Sequence, residues 1–145
     1  MTPRTLLRGA ATAIVALAAS HASADTYTVE LDGIAFVYNG QTNMDIDLEI
    51  QVGDTVRWDW VSGFHNVTSG FPDDPNPGAL FFSGDPTSNP DTVFEFTFTD
   101  PGLYGYHCEV HENLGMVSSV RVVPAPGAPS AFAGLALLGA RRRRR

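Results

Sequence analysis

The chain has 145 residues, 43% of them hydrophobic, and a formal net charge of −7 at pH 7. All 16 acidic residues lie between residues 25 and 123, whereas only two basic residues, Arg57 and Arg121, lie in that range, so the segment has a net charge of −14. This charge excludes nucleic acid as a partner, because binding to phosphates needs lysine and arginine. It predicts attraction to basic protein surfaces or, alternatively, an acidic coat that keeps the protein soluble in salty surroundings.

The first 24 residues predict a secretory signal peptide. Arg4 and Arg8 provide a positive start, the stretch from Ala10 to Ala19 is almost entirely apolar, and Ala22-Ser23-Ala24 has the small residues that signal peptidase recognises. The apolar run is shorter than the roughly 20 residues that cross a bilayer. A buried N-terminal helix is the alternative, but nothing caps it and polar residues follow at once. We therefore expect an exported bacterial protein, located in the periplasm, in the cell envelope or outside the cell.

Residues 25–123 predict one small domain of short strands, because apolar and polar residues alternate between turn signals. The predicted strands are Tyr27–Leu31, Ile34–Tyr38, residues 46–50, Thr55–Trp60, residues 94–98, Leu103–Cys108 and Met116–Val123. Trp58 and Trp60 share one face and predict part of the core. Residues 69–90 predict a long surface connection with room for one short edge strand. Strands with one apolar face form an all-β sandwich, here of about seven or eight strands.

Cys108 is the only cysteine in the chain. Exported proteins usually pair their cysteines in disulfides, and an unprotected thiol in an oxidising compartment becomes oxidised. A bond to a metal ion is one way in which such a thiol is protected. The lone cysteine therefore directs attention to the metal-binding side chains around it.

Cys108 is followed by His111 and Met116 in the spacing Cys-x2-His-x4-Met, and His65 lies far upstream. Taken singly, a histidine is usually structural and a methionine usually fills a core. Two imidazoles and a thiolate with a weak thioether ligand form the pattern of blue-copper electron-transfer sites. In an exported, strand-rich chain, this combination predicts one type 1 copper ion bound by His65, Cys108, His111 and Met116.

These motifs resemble those of the cupredoxins, small blue-copper proteins that include plastocyanin, pseudoazurin and halocyanin. The resemblance covers roughly residues 27–123, and its anchors are residues 52–58, His65-Asn66-Val67, residues 102–108 and the Cys-x2-His-x4-Met run. It implies a Greek-key β-sandwich and the same four copper ligands. It also implies that Asn66 ties the two ligand loops together and that His111 is the electron port at the surface.

The chain departs from plastocyanin near the ligands. His107 stands where plastocyanin has a tyrosine that provides a second electron route, so that route is not expected here. Because neighbouring residues of a strand point to opposite faces, His107 should face away from the metal, as a surface or second-layer residue. Glu109 and Glu112 flank the port, where plastocyanin is more apolar. Their carboxylates should favour Cu(II) and discourage anionic partners.

Two other functions, copper storage or delivery and catalysis, fit this sequence less well than electron transfer does. Copper storage or delivery usually uses Met-rich, His-rich or paired-Cys sites that release the metal easily. A copper enzyme would need a second, open copper site, and two of the three histidines in residues 25–123 are already used; no catalytic group stands out either. Zinc shares these ligands but would be a mis-metallated form. We therefore expect a non-enzymatic, monomeric carrier that exchanges single electrons with redox proteins through their basic docking surfaces.

Residues 124–145 predict a sorting segment. Pro124-Ala125-Pro126 precedes a mostly apolar run, residues 128–140, and five arginines end the chain. This order resembles exosortase-type (PEP-CTERM-like) sorting signals, although Ala125 stands where that motif has glutamate. The apolar run is too short to span a membrane. The segment is expected to serve as an envelope or membrane tether; a basic tail that binds anionic lipid is the alternative.

Overall fold

The computed structural model describes residues 23–46 and 48–126, so the predicted signal peptide up to residue 22 and most of the predicted sorting segment lie outside the described residues. The strands are β1 (Thr26–Asp32), β2 (Ala35–Tyr38), β3 (Gln41–Thr42), β4 (Leu48–Gln51), β5 (Thr55–Trp60), β6 (Thr68–Ser69), β7 (Val93–Thr97), β8 (Gly102–His107) and β9 (Val117–Val123). Two short 3-10 helices span Asn43–Asp45 and Glu112–Leu114. Among the described residues, none of the helices has the length and apolar character needed to cross a membrane.

The strands form two sheets, one in the order β3-β2-β1-β5-β7 and the other in the order β4-β9-β8-β6. Two pairs, β1 with β5 and β4 with β9, are parallel, and the other neighbours are antiparallel. The predicted all-β sandwich is therefore confirmed. The described residues contain nine strands rather than seven or eight, because β3 and β6 have two residues each and are too short to show alternation in a sequence.

The core lies between the two sheets and is largely aromatic. Alternate side chains of β5 point inward, and Trp58 and Trp60 are 0% and 4% exposed. The Trp58 ring packs against Phe81, Phe94 and Tyr106, with ring centroids 5.4, 5.7 and 5.3 Å away. Such aromatic pairs add stability beyond the area that they bury. The prediction that both tryptophans belong to the core is confirmed.

One side chain of the long connection between β6 and β7 reaches the aromatic core. Phe81 is 5% exposed, and its ring packs against four other aromatic rings of the core: Trp58, Phe94, Phe96 and Phe98. Its backbone N–H donates to the Ser69 hydroxyl at 3.1 Å. The residues on either side, Leu80 and Phe82, are 51% and 45% exposed. The connection therefore has a fixed position although it has no strand of its own.

The topology brings two loops to one end of the sandwich. β1 and β5 are parallel: Thr26 pairs with Thr55 at their start and Leu31 pairs with Trp60 at their end. Both strands therefore end at the same edge of the sandwich. β6 begins at Thr68, which pairs with His107 at the end of β8. The loop after β5 and the loop after β8 are therefore neighbours, and these are the loops that carry the predicted ligands.

Replacing Phe81 with alanine should lower the free energy of unfolding by about 3–5 kcal/mol, because it leaves a cavity in the aromatic core. The adjacent Phe82→Ala is the matched control and should cost less than about 1 kcal/mol, since that side chain is half exposed. Urea denaturation followed by tryptophan fluorescence measures both. Equal losses would contradict the assigned role of Phe81.

Candidate metal centre

Two loops hold the four predicted ligands. His65 lies between β5 and β6, and the others follow β8. The buried Asn66 side chain joins the loops: its Oδ1 accepts from the Glu109 backbone N–H at 3.0 Å, and its Nδ2 donates to the Glu109 carboxylate at 2.8 Å. This is the tie that the cupredoxin resemblance implies. It fixes the position of His65 relative to Cys108.

The loop after β8 closes on itself through backbone hydrogen bonds. The Cys108 N–H donates to the Met116 carbonyl at 3.1 Å, the His111 N–H donates to the Cys108 carbonyl at 3.0 Å, and the Met116 N–H donates to the His111 carbonyl at 3.1 Å. Gly115 allows this closure because it adopts a φ of +88°, a conformation that other residues rarely take. The backbones of Cys108 and Met116 are therefore joined across the loop. Both side chains are fully buried.

Three donor atoms meet above this loop. The Cys108 Sγ lies 3.8 Å from the Nδ1 of His65 and 3.6 Å from the Nδ1 of His111, and the two Nδ1 atoms are 3.2 Å apart. His65 and Cys108 are buried, whereas His111 is half-buried. A thiol and two imidazoles form a donor set that suits copper or zinc rather than hard cations such as magnesium or calcium. The residues present therefore fit a soft metal ion.

The imidazole of His65 is oriented by a second hydrogen bond. Its Nε2 lies 2.8 Å from the Ser62 carbonyl, which can only accept, so Nε2 carries the proton and the lone pair of Nδ1 faces Cys108. Burial lowers the pKa of His65 below its usual value, although the hydrogen bond to the Ser62 carbonyl acts in the opposite direction. The side chain is therefore held as the neutral imidazole that metal ions need.

The loop before His65 is braced from β1. The Ser62 hydroxyl donates to the Asp32 carboxylate at 2.6 Å and accepts from the Gly33 N–H at 2.9 Å. Gly63 fits tightly below the ring: a Cβ built on it would lie 2.3 Å from the His65 Nε2 and 2.7 Å from the Gly33 carbonyl oxygen. The sequence analysis did not identify Ser62 or Gly63. The one available signal was a glycine, Gly63, two residues before the candidate ligand His65.

The structure thus brings together His65, Cys108 and His111, and it places the buried Met116 at the end of the same loop. His107 is only 2% exposed, so the surface alternative for this residue was wrong and the second-layer alternative is confirmed. The reason is that Gly70, just after β6, and Glu112, in the loop after β8, lie against its ring. The His107 ring contacts the Gly70 carbonyl at 2.8 Å and approaches the Glu112 carboxylate at 3.4 Å.

The surface beside His111 combines apolar and acidic side chains. Phe64, Val110 and Leu114 lie on the two ligand loops and are 51%, 46% and 61% exposed. Glu109 is exposed and Glu112 is half-buried on the same loop. We call these five residues the port surface. It offers a partner an apolar contact with two carboxylates beside it.

The sequence comparisons agree with this donor set. Residues 26–123 match the family described as copper binding proteins, plastocyanin/azurin family. Chloroplastic plastocyanin of Oryza sativa subsp. indica is 35% identical over 81 residues, which cover 52% of this chain and 51% of that protein. Halocyanin of Natronomonas pharaonis is 36% identical over 78 residues, which cover 52% of this chain and 44% of that protein. The chain thus spans about half the length of these relatives. Plastocyanin of Tetradesmus obliquus is 33% identical over 119 residues, covering 79% and 77%.

Similar solved structures include an oxidised variant of amicyanin and oxidised plastocyanin from Dryopteris crassirhizoma. The amicyanin structure has a TM-score of 0.49 and 24% sequence identity, and the alignment covers 68% of this chain and 82% of that chain. The plastocyanin structure has a TM-score of 0.48 and 21% identity, covering 66% and 99%.

Gly63→Ala should weaken copper binding by about 10–100-fold, because the new Cβ would clash with the Nε2 of His65 and displace the ring from its position between Cys108 and the Ser62 carbonyl. Gly53→Ala is the matched control: Gly53 has a φ of +100° against +99° for Gly63, but nothing lies within 4 Å of its Cβ position. Both variants suffer the same backbone strain, so competition for Cu(I) against a chromogenic chelator isolates the contact with His65. Equal affinities in the two variants would contradict this account.

Proposed function

The chain belongs to the plastocyanin/azurin family of copper-binding proteins, and from this membership we propose that it is an exported carrier that shuttles single electrons between redox proteins. The membership rests on the match of residues 26–123 to this family and on the similarity to plastocyanin of Tetradesmus obliquus. The observation that carries the function is the meeting of the Cys108 Sγ with two imidazole Nδ1 atoms, all within 4.8 Å of one another. When bound, copper supplies a one-electron couple between Cu(I) and Cu(II).

We assign the metal ligands as His65, Cys108, His111 and Met116. The first three are supported by the short distances between their donor atoms. The thioether of Met116 is proposed as the weak fourth ligand, because this residue is fully buried and its carbonyl accepts from the Cys108 N–H. Soft sulfur donors suit Cu(I), and imidazoles suit both oxidation states.

The surrounding hydrogen bonds fit electron transfer better than storage. Asn66 locks the two loops together, and the Ser62 carbonyl fixes the ring of His65. A donor set that is held in place changes little when the charge of its metal changes, so little energy is spent on rearrangement. Electron carriage, and not catalysis, is the activity of this family. Storage or delivery would instead need a site that opens to release copper.

We place the electron port at His111, the half-buried member of the donor set. The exposed Phe64, Val110 and Leu114 of the port surface would exclude water when a partner docks. The net charge of −14 between residues 25 and 123 would attract a partner with a basic docking surface. A partner of this kind would approach by its basic face and contact the apolar residues around His111.

We further propose three functional parts for the chain: a signal peptide in residues 1–24, the copper domain in residues 25–123, and a sorting or anchoring segment in residues 124–145. The N-terminal sequence pattern supports export. Location in the bacterial periplasm or envelope follows from the same pattern. The carrier is proposed to act as a monomer.

Adding Cu(II) to the protein should give an intense blue absorption band that bleaches with reductant and returns on oxidation. Cys108→Ser should abolish the band, because the colour comes from charge transfer between a thiolate and copper. A visible spectrum of each protein, with bound copper measured separately, is the test. A wild-type protein that binds copper without the band would exclude Cys108 as a close ligand and favour copper storage.

Electron transfer to a basic cytochrome should slow by about tenfold or more as salt is raised from low to physiological ionic strength, because salt screens the attraction between the two proteins. Stopped-flow kinetics measure the rate. An uncharged small-molecule reductant serves as the control, and its rate should hardly change. A flat dependence with the cytochrome would instead favour the acidic coat as an aid to solubility.

A further inference from the structure

A nearly buried carboxylate lies at the end of the sandwich away from the metal centre. Asp54, in the turn between β4 and β5, is only 3% exposed. Its Oδ2 accepts from the Gln51 N–H at 2.7 Å, and its Oδ1 accepts from the Asp25 N–H at 2.9 Å. The second bond spans 29 residues of the chain and ties the residue before β1 to the start of β5.

The backbone of Asp25 is held on both sides. Its carbonyl accepts from the Thr55 N–H at 2.9 Å, and the parallel register of β1 with β5 begins at the next residue, Thr26. Ser23 and Ala24, immediately before, are exposed and belong to no strand. The hydrogen bonds to the sheet therefore begin at Asp25, one residue before β1, and Asp25 is also the residue that follows the signal peptidase pattern Ala22-Ser23-Ala24.

We propose that Asp54 is the binding site for the N-terminal ammonium group that export creates on Asp25. The inference rests on the proposed export of the chain. Signal peptidase hydrolyses the peptide bond between Ala24 and Asp25: water supplies a hydroxyl to the Ala24 carbonyl carbon and a proton to the Asp25 nitrogen. At neutral pH the leader keeps a carboxylate, and the new amine takes up a further proton to become an ammonium group.

Cleavage changes the strength of an existing contact. The neutral N–H of Asp25 already donates to a charged carboxylate, and after cleavage it becomes a charged donor, so the attraction between two opposite charges is added to the hydrogen bond. The Asp54 carboxylate is almost excluded from water, whereas Asp25 is exposed, so salt screens the pair only in part. The other titratable groups near this point are the Asp25 carboxylate and Tyr27. Burial raises the pKa of Tyr27, and the negative charges of Asp54 and Asp25 raise it further.

The pair has a defined pH dependence. A free N-terminal amine has a pKa of about 7.7–8.0. Pairing with Asp54 raises that pKa in the folded chain, so the folded state holds its proton to higher pH than the unfolded state does. The added stability is therefore complete below the unfolded pKa and disappears as pH rises through the higher, folded value.

The test compares two forms of the copper-loaded chain without its leader. One starts at Asp25, released from a fusion by a protease that leaves no extra residue, and the other keeps one additional glycine ahead of Asp25. The form with a free Asp25 amine should unfold at a temperature higher by about 4 °C near pH 6, and the difference should vanish above about pH 10. Equal unfolding temperatures near pH 6 would overturn the proposal.

Asp54→Asn, introduced into both forms, separates the ammonium pair from a general effect of chain length. It removes the negative charge but keeps an acceptor, and it should reduce the difference between the two forms to less than about 1 °C. Asp91→Asn, at an exposed carboxylate, is the control and should leave the difference intact. A difference that survives Asp54→Asn would show that the ammonium group binds elsewhere.

The cleavage itself is tested on the full chain exported with its own leader. The mass of the N-terminal peptide should correspond to a start at Asp25, and a start at another residue would overturn the site of cleavage. The blue absorption of the same sample reports on the metal centre independently. Failure of the copper assignment and failure of the ammonium site therefore give different results.

Discussion

The backbone hydrogen bond from the Cys108 N–H to the Met116 carbonyl is the contact on which the metal end of the protein depends. It closes the loop after β8 and returns the chain to β9, so that three candidate ligands belong to one rigid turn. Asn66 then attaches the fourth, His65, by holding the backbone and side chain of Glu109. Neither contact uses a donor atom of the proposed ligands. The ligand side chains are therefore positioned by hydrogen bonds that do not compete with a metal ion.

The charge of the domain and the chemistry of its metal centre are kept apart by burial. The domain carries sixteen acidic residues, but its metal centre is made of a thiol and two imidazoles, and a carboxylate among these ligands would favour harder cations. Glu109 is instead turned to Asn66, and Glu112 approaches His107, so the two nearest acids are engaged beside the centre rather than in it. The acidic surface can thus act on partners at long range while the donor set keeps a thiol and two imidazoles.

Alternation and spacing in the sequence predicted most of this arrangement. The inward faces of β5 and the convergence of His65 with Cys108 and His111 followed from strand periodicity and ligand chemistry. β3 and β6 could not be predicted, because two residues carry no period. The burial of His107 depends on contacts with Gly70 and Glu112, and the first of these is distant in sequence and gives no local signal. Ser62 acts through the direction of its backbone carbonyl, and Gly63 through its close approach to the His65 ring. Residue types alone specify neither.

β1 connects the two ends of the protein. It follows directly on Asp25, which is held by Asp54, and it ends at Asp32, whose carboxylate accepts from the Ser62 hydroxyl below His65. Between these points β1 is paired with β5 over the whole length of that strand. If the first residues of β1 separated from β5, the loss of pairing could extend along the strand toward Asp32 and weaken the brace of the ligand loop. An anchor at Asp25 opposes this separation at its starting point, and it therefore supports the metal centre without touching it.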